Sequence, residues 1–422
     1  MPARIAVVGS GIAGLGAAWR LSSEHEVVLF ESADRLGGHV HTHAVEIDGR
    51  RHSVDTGFIV FNHAHYPLLT TLLAELEVDT QPTTMSFSVQ DARNGLEYNA
   101  SNLDGLFAQR GNLLSPRFWG LLRDLRRFYR EAPALLDLPG QGPTLAEYMS
   151  GNGYGGAFVD DHLVPMASAL WSSPAATILD FPAKYLVRFM RQHQMLQVEG
   201  RPEWRVVCGG SQRYVDALQA RWRVVTRLSC HVQAVRRRQD GRVDVCTLRG
   251  TDIFDEVVLA CHGDDALSLL DAPTAEERAV LGAITYQDND TVLHTDARLL
   301  PARRKAWAAW NAYVPAAPGE ACTVSYCMNL LQSIDATQPI VVSLNRTLDI
   351  AADRILARMR YRHPVYTHAS VAAQACIPRV SGRDRIWYAG AWCGYGFHED
   401  GLRSGYAAAD GLLETLRQKQ AA

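Results

Sequence analysis

Two short apolar runs, Arg4–Val8 and Glu26–Phe30, flank an alanine- and leucine-rich stretch from Leu15 to Leu21. The pattern predicts a strand, a helix and a second strand. Apolar runs of similar kind recur much later in the chain. Val206-Val207-Cys208-Gly209-Gly210-Ser211 leads into a predicted helix over 212–223, followed by β-rich runs at 228–237, 243–248 and 256–260. A buried strand is predicted at 385–390, and a last helix at about 402–417. Two long insertions, 76–203 and 264–375, separate these pieces. In the first, Ser115 and Pro116 form an N-cap and N1 pair ahead of a helical pattern running to Arg130. Its apolar residues recur at helical spacing with arginines between them. That pattern suits a helix packed on its apolar side with a solvated basic face, or a helix lying on a membrane surface. Trp310, Asn311, Tyr326 and Asn329 fall on predicted strands of the second insertion, where substrate walls are expected.

The turn after the first strand is Gly9-Ser10-Gly11-Ile12-Ala13-Gly14, a GxGxxG placed between strand and helix, with Glu31 about twenty residues on. Gly9 permits the tight turn. Gly11 removes a side chain where a pyrophosphate approaches the backbone, and Gly14 brings the helix close to the sheet. The helix start, at Ile12 and Ala13, offers unpaired N–H groups and a partial positive charge. Glu31 is placed to accept hydrogen bonds from ribose hydroxyls and to repel a 2′-phosphate. These residues predict a bound dinucleotide.

The continuation Glu31-Ser32-Ala33-Asp34-Arg35-Leu36-Gly37-Gly38-His39 resembles the second nucleotide motif, E-x-x-x-R-x-G-G, of the flavin amine oxidase and phytoene desaturase superfamily. A closing motif of the same superfamily is resembled by residues 389–405, AGAWCGYGFHEDGLRSG. The resemblance implies FAD. Arg35 would pair with a phosphate, while Gly37 and Gly38 let the backbone pass under the flavin side, next to Ser32 and His39. It also brings in Thr56, Gly57, Phe58 and Ile59 from an extended segment, Val232, and Gly390, Ala391, His398, Asp400, Gly401 and Leu402 from the closing motif. Asp400 is expected as an N-cap, with Gly401 and Leu402 offering N–H groups to the pyrimidine side of the ring. A helix N-terminus there stabilises the negative charge that hydride arrival creates.

The resemblance narrows further on DTGFIVFN at 55–62, PMASALWSSP at 165–174, FPAKYLVRFM at 181–190, RPEWRVVCGGSQRYV at 201–215 and GYGFHEDGLRSG at 394–405. These are similar to a bacterial subgroup of NAD/FAD-binding oxidoreductases related to the flavin domain of plant cyclopropane fatty acid synthases. Relatives are commonly encoded beside synthase-like methyltransferases. The implied fold is α/β, a Rossmann-like FAD-binding domain of the GR2-type flavin oxidases with an inserted α+β substrate domain. The flavin domain is expected at 1–75, 204–263 and 376–422, and the substrate domain at 76–203 and 264–375. The implied substrate is a small apolar molecule, such as the unsaturated or methylated acyl chain of a membrane lipid. Peripheral membrane contact and a methyltransferase partner are implied with it. Two further readings stay open: a flavin amine oxidase releasing hydrogen peroxide, and a flavin-binding accessory subunit of a lipid methyltransferase.

A formal net charge of −3 over 422 residues gives no global attraction to nucleic acid. The eight cysteines are scattered without C-x-x-C pairs or zinc-like spacing, so reduced thiols in a cytoplasmic protein are expected. The opening apolar run is the first strand and not a signal peptide. His39, His41 and His43 alternate, which on a strand puts three imidazoles on one face; the stretch falls where the flavin loop runs, so no metal is expected. Residues for the chemistry itself are less marked. Flavin oxidases hold a C–H bond about 3.5 Å from N5 and exclude water. Trp392, Tyr395, Phe397 and His398 are candidates for an apolar wall, with Tyr395 and His398 the nearest to a catalytic position. Cys393 is close in sequence to the expected ring site. Lys305 is the candidate for the lysine that many amine oxidases hold near the ring.

Overall fold

The computed structural model describes residues 2–317 and 322–421. Its first sheet has five strands, all parallel, in the order Ile386–Tyr388, Glu256–Leu259, Arg4–Val8, Glu26–Phe30 and Val224–Arg227. Ala6 sits opposite Val257 on one side and Val28 on the other. The strands read as near-continuous apolar runs because both faces are covered. One face packs against the opening helix, Ile12–Leu21, and the closing helix, His398–Ala421; Ile5, Leu15, Leu29, Val258, Leu402 and Leu412 are buried between them. The other face meets a three-stranded antiparallel sheet, Val232–Arg237, Val243–Thr247 and Gly250–Phe254, across Val8, Phe30, Val245 and Leu259. This is a Rossmann-like arrangement.

A second, seven-stranded sheet joins both insertions. Its order is Ile355–Val365, Thr285–His294, Val341–Leu344, Thr323–Cys327, Trp310–Val314, Phe87–Asp91 and Leu96–Asn99. All its pairings are antiparallel except Trp310–Val314 with Phe87–Asp91, where Ala312 faces Val89. Helices Gly263–Leu269 and Ala275–Leu281 pack on the parallel-sheet side, so the chain enters the large sheet at Thr285. Helices between Pro116 and Gln192 build a third core rich in aromatic rings, including Phe128, Phe158, Trp171, Phe181 and Phe189. No helix among the described residues is long and apolar enough to cross a membrane.

Several expected elements differ in detail. The opening helix starts at Ile12, three residues before the apolar pattern begins, because glycines conceal its first turn. The closing helix starts at His398 rather than near Leu402. Asn329 lies in the short helix Met328–Leu331, not on a strand; its side chain instead ties the segment down by accepting from Ile340 N–H at 2.7 Å. Of the three alternating histidines only His43 is on a strand, which begins at Thr42. The rings of His41 and His43 lie 4.0 Å apart, and His39 turns away toward Tyr361 and His363.

Candidate functional site

The opening and closing turns meet. A β-carbon on Gly401 would lie 2.6 Å from Ile12 Cγ2, and one on Gly405 would overlap the carbonyl oxygen of Ala13. The two helices thus touch backbone to backbone, with the side chain of Leu402 over Gly16. Gly14 is equally confined, since a β-carbon there would overlap the Gly9 carbonyl. Gly9 itself has φ +101, a left-handed backbone that places its α-carbon against Ala260. Gly11 is the exception in this crowded turn. A β-carbon on it meets no atom within 4 Å. It is also the N-cap of a helix that has no side-chain cap, so the N–H groups of the first turn, at Ile12 and Ala13, have no capping side chain to bond to.

Glu31 closes the far end of this groove. Its Oε2 accepts from Ser10 N at 2.9 Å and Ser10 Oγ at 2.6 Å; its Oε1 accepts from Ala33 N at 2.8 Å and Ser32 Oγ at 3.2 Å. The carboxylate therefore joins the glycine turn to the loop that follows. The last of these bonds, from an exposed rotatable hydroxyl, is the one most easily exchanged for a ribose hydroxyl. Val232 follows two residues after Cys230, whose N–H bonds to Glu31 O at 2.8 Å, and is buried in the core with Val8 and Phe30. Arg35 directs its guanidinium at the loop carbonyls of Val40 at 2.7 Å and Gly38 at 2.8 Å. It clamps the glycine loop rather than pointing free toward a phosphate. Gly37 N–H bonds back to Ser10 O at 3.1 Å, and Gly38 packs on the Gly11 α-carbon.

The end of the groove where the ring is expected is built from four stretches of chain. Phe58 N–H bonds to His39 O at 2.8 Å, and Gly57 packs on the same carbonyl. Thr56 Oγ1 bonds to Tyr361 Oη at 2.8 Å, while Ile59 turns into the core under the large sheet. His398 stacks on Phe58 with ring centroids 3.7 Å apart and planes 9° from parallel, and its Nε2 bonds to Tyr214 Oη at 2.7 Å. His39 lies 5.1 Å from Tyr361 and 5.4 Å from His363, ring to ring. Burial holds the imidazoles neutral: His39 is lowered to about 4, with His262 and Arg35 adding to the effect, and His363 and His398 to about 3, each also repelled by His39. Gly390 N–H bonds to Ser404 Oγ at 2.9 Å, and Ala391 packs against Gly401.

Asp400 is not the N-cap. It sits inside the first turn and accepts from the N–H groups of Tyr395 and Phe397, both at 3.1 Å, so it folds the preceding loop over itself. Gly401 N–H is already bonded to Phe397 O at 3.1 Å, so the open donors belong to the residues just before it. Glu399 reaches across to Leu68 N at 2.9 Å and Leu69 N at 3.0 Å, capping the helix Pro67–Glu75.

The expected aromatic wall is divided. Trp392 is buried toward the parallel sheet, its indole N–H on Cys261 O at 3.0 Å. Tyr395 and Phe397 instead join Trp171, Tyr185, Phe189 and Tyr366 in an aromatic cluster on the helical side. The turn at Gly394 and Gly396 produces this split, with Gly396 at φ +89. The Cys393 thiol is pushed up to about 12 by burial. Lys305 is exposed and paired with Asp104 at 3.0 Å, which removes it from the ring. The other lysines are also engaged, Lys184 with the carbonyls of Leu138 and Gly140 and Lys419 with Glu256 at 3.0 Å.

Sequence reasoning missed Tyr361, His363, Tyr214 and His262. The first two alternate on the strand Ile355–Val365 and so share a face; the pattern R-x-R-Y-R-H-P was a visible signal. His262 stands with Asp264 and Asp265 in the single metal-like grouping among the described residues, but Arg362 occupies the carboxylates, with 3.0 Å to Asp265 and a bond to Asp264.

The family model of flavin containing amine oxidoreductases matches residues 12–293. L-amino-acid oxidase of Pseudechis australis is 49% identical over 49 residues, 11% of this chain; the match spans only 10% of that relative's length. Among solved structures, a CLA-producing fatty acid isomerase from P. acnes has a TM-score of 0.69 at 16% identity, covering 98% of each chain. Putrescine oxidase bound to putrescine gives 0.71 at 14% identity, over 98% of this chain and 99% of that one. Cyclohexylamine oxidase from Brevibacterium oxydans gives 0.70 at 14%, over 99% and 100%. These likenesses show a shared fold.

The residues fit a bound FAD. The uncapped helix start and the open space at Gly11 suit a pyrophosphate, and the buried Nε2 of His39 has no partner among the described residues. Such an orphaned polar atom costs about 1–3 kcal/mol unless a ligand meets it.

Proposed function

The chain belongs to the flavin containing amine oxidoreductase family and is an FAD-dependent oxidoreductase; from that premise we propose that it dehydrogenates, or isomerises through transient hydride transfer, an unsaturated or methylated fatty-acyl chain drawn from membrane lipid. When bound, FAD supplies a hydride acceptor at N5. The observation that carries the substrate class is that, among the described residues around the expected ring end, each carboxylate is already held by donors of the protein, Asp55 by Ser211 and Gln332 among them. Asp400 and Glu399 use their oxygens on backbone N–H groups, and Asp264 and Asp265 are paired with Arg362. The surrounding imidazoles are held neutral. An ammonium substrate would lose its hydration there without meeting a counter-charge, whereas an acyl chain has no such hydration to lose.

The chain's own residues then act by position. Tyr214 holds the His398 ring flat on Phe58, which fixes one wall. The cluster of Trp171, Tyr185, Phe189, Tyr366, Tyr395 and Phe397 offers an apolar lining that excludes water. Isomerisation needs no base, because the hydride that leaves an allylic carbon returns to the far end of the same allylic cation; dehydrogenation also releases a proton from the neighbouring carbon to solvent.

The test is anaerobic mixing of the flavin-loaded protein with fractionated bacterial lipids and, separately, with a panel of primary amines. Bleaching of the flavin band or isomerised fatty acids from the lipid arm, with no response to amines, is the expected outcome. Bleaching by amines, with peroxide released in air, replaces the proposal with the amine oxidase reading, which the family membership favours as the second choice.

A further inference from the structure

Four of the eleven large hydrophobic side chains that stand exposed among the described residues fall between positions 103 and 119: Leu103 at 75%, Leu113 at 46%, Leu114 at 88% and Trp119 at 51%. They form one tip. The Trp119 indole N–H bonds to Leu113 O at 2.9 Å, and its ring lies 5.8 Å from that of Phe107, one residue past the short helix that Leu103 opens. Monomeric surfaces seldom gather apolar groups in this way without a partner.

The helix behind the tip, Pro116–Glu131, buries Phe118, Leu121 and Phe128 and turns Trp119, Arg123, Arg126 and Arg130 outward, spaced four, three and four residues apart. This is one stripe of the helix. Residues 103–131 carry six arginines against Asp104, Asp124 and Glu131, in a chain whose net charge is −3. Asp124 is buried, and Arg126 makes no ion pair among the described residues. Lys305 pairs with Asp104 at 3.0 Å, so that carboxylate does not offset the arginines.

We propose that this surface docks on an anionic phospholipid bilayer, with Leu103, Leu113, Leu114 and Trp119 among the headgroups and the arginine stripe on their phosphates. An acidic protein would match the arginines alone. The bilayer matches both layers in order, anionic at the surface and apolar just beneath it, as the tip and the stripe are arranged. The inference rests on the acyl-chain reading only for the source of the substrate; vesicle binding is measured without turnover, so either can fail alone.

The experiment is co-sedimentation of the flavin-loaded protein with vesicles of equimolar phosphatidylglycerol and phosphatidylcholine, or of phosphatidylcholine alone. Binding to the anionic vesicles, weakened by salt and absent on the neutral ones, is expected. Leu103→Asp with Leu114→Asp changes two exposed positions and should weaken binding about tenfold or more while the flavin spectrum stays the same. Arg123→Glu with Arg126→Glu should lower it by roughly fivefold or more per arginine. Failure of the native protein to bind, or equal binding by both double variants, overturns the proposal. So does loss of an oligomer in the leucine variant without vesicle binding by the native chain, which would make the surface a contact between copies.

Discussion

Gly11→Ala separates cofactor binding from folding. Gly11 has φ −63 and ψ 172, a backbone that alanine adopts without strain, and an added β-carbon meets no protein atom within 4 Å. The apoprotein should therefore keep its stability to within about 1 kcal/mol, because alanine's restriction of the unfolded chain offsets its poorer fit at a helix N-cap. The holoprotein should behave in the opposite way. The added methyl enters the space into which the first helical turn directs its N–H groups, so a pyrophosphate drawn there is overpacked. At about 1–3 kcal/mol for such crowding, FAD affinity should fall by roughly 5- to 150-fold. Urea unfolding of the flavin-free protein measures the first quantity, and titration of apoprotein with FAD, followed by flavin fluorescence, measures the second. Unchanged FAD affinity in a folded variant would refute the placement of the phosphates at this turn.

Gly405→Ala should fail differently, losing about 2 kcal/mol or more of apoprotein stability together with flavin retention, since a β-carbon there overlaps the Ala13 carbonyl; urea unfolding and flavin content report both. Glu31→Ala strands the N–H groups of Ser10 and Ala33 and should cost about 1–3 kcal/mol along with weaker FAD binding, measured by the same two assays. Stability should fall on acidification. His39, at about 4 when folded, and His363 and His398, at about 3, take up protons near 6.5 when unfolded, so the unfolded chain binds more protons in that window. Asp55 and Asp161, pushed up to about 6 by burial, work the other way between their ordinary range and that value, but His41, His162, His193, His262 and His294, each lowered to about 4 by burial, add to the first three, so the histidines prevail. The urea midpoint should therefore drop from about pH 7 to about pH 5, less steeply in His398→Gln; a midpoint that holds or rises would contradict the neutral assignments. Lys305→Ala should leave turnover within about twofold, since the side chain pairs only with exposed Asp104; steady-state kinetics check it.

What could be read in advance was local. Arg4–Val8 and Glu26–Phe30 are strands to the residue, and the Ser115–Pro116 cap opens its helix, with Ser115 Oγ accepting from Phe118 N at 3.3 Å. Each follows from neighbours in sequence. The glycine turn and its link to Glu31 were legible for the same reason, as glycines and one carboxylate at set spacings around a single turn. Helix starts were less legible where glycine obscures the apolar period, as at Ile12 and His398. The wall of the ring end was hidden because it is made by contacts across long separations. Thr56 meets Tyr361, and Tyr214 meets His398, pairs that no periodicity announces. The parallel pairing of Phe87–Asp91 with Trp310–Val314 is of the same kind. Trp392 and Tyr395, three positions apart, point into different cores because one tight turn lies between them.

The backbone contact of Gly405 with Ala13 has a consequence for biosynthesis. A ribosome delivers the glycine turn hundreds of residues before the segment that closes over it. A nascent chain thus carries half a socket through nearly all of its translation. A flavin held between these two turns would have to wait until 398–405 clear the exit tunnel, and a message cut short of that codon stretch would yield a product with nothing to close over it.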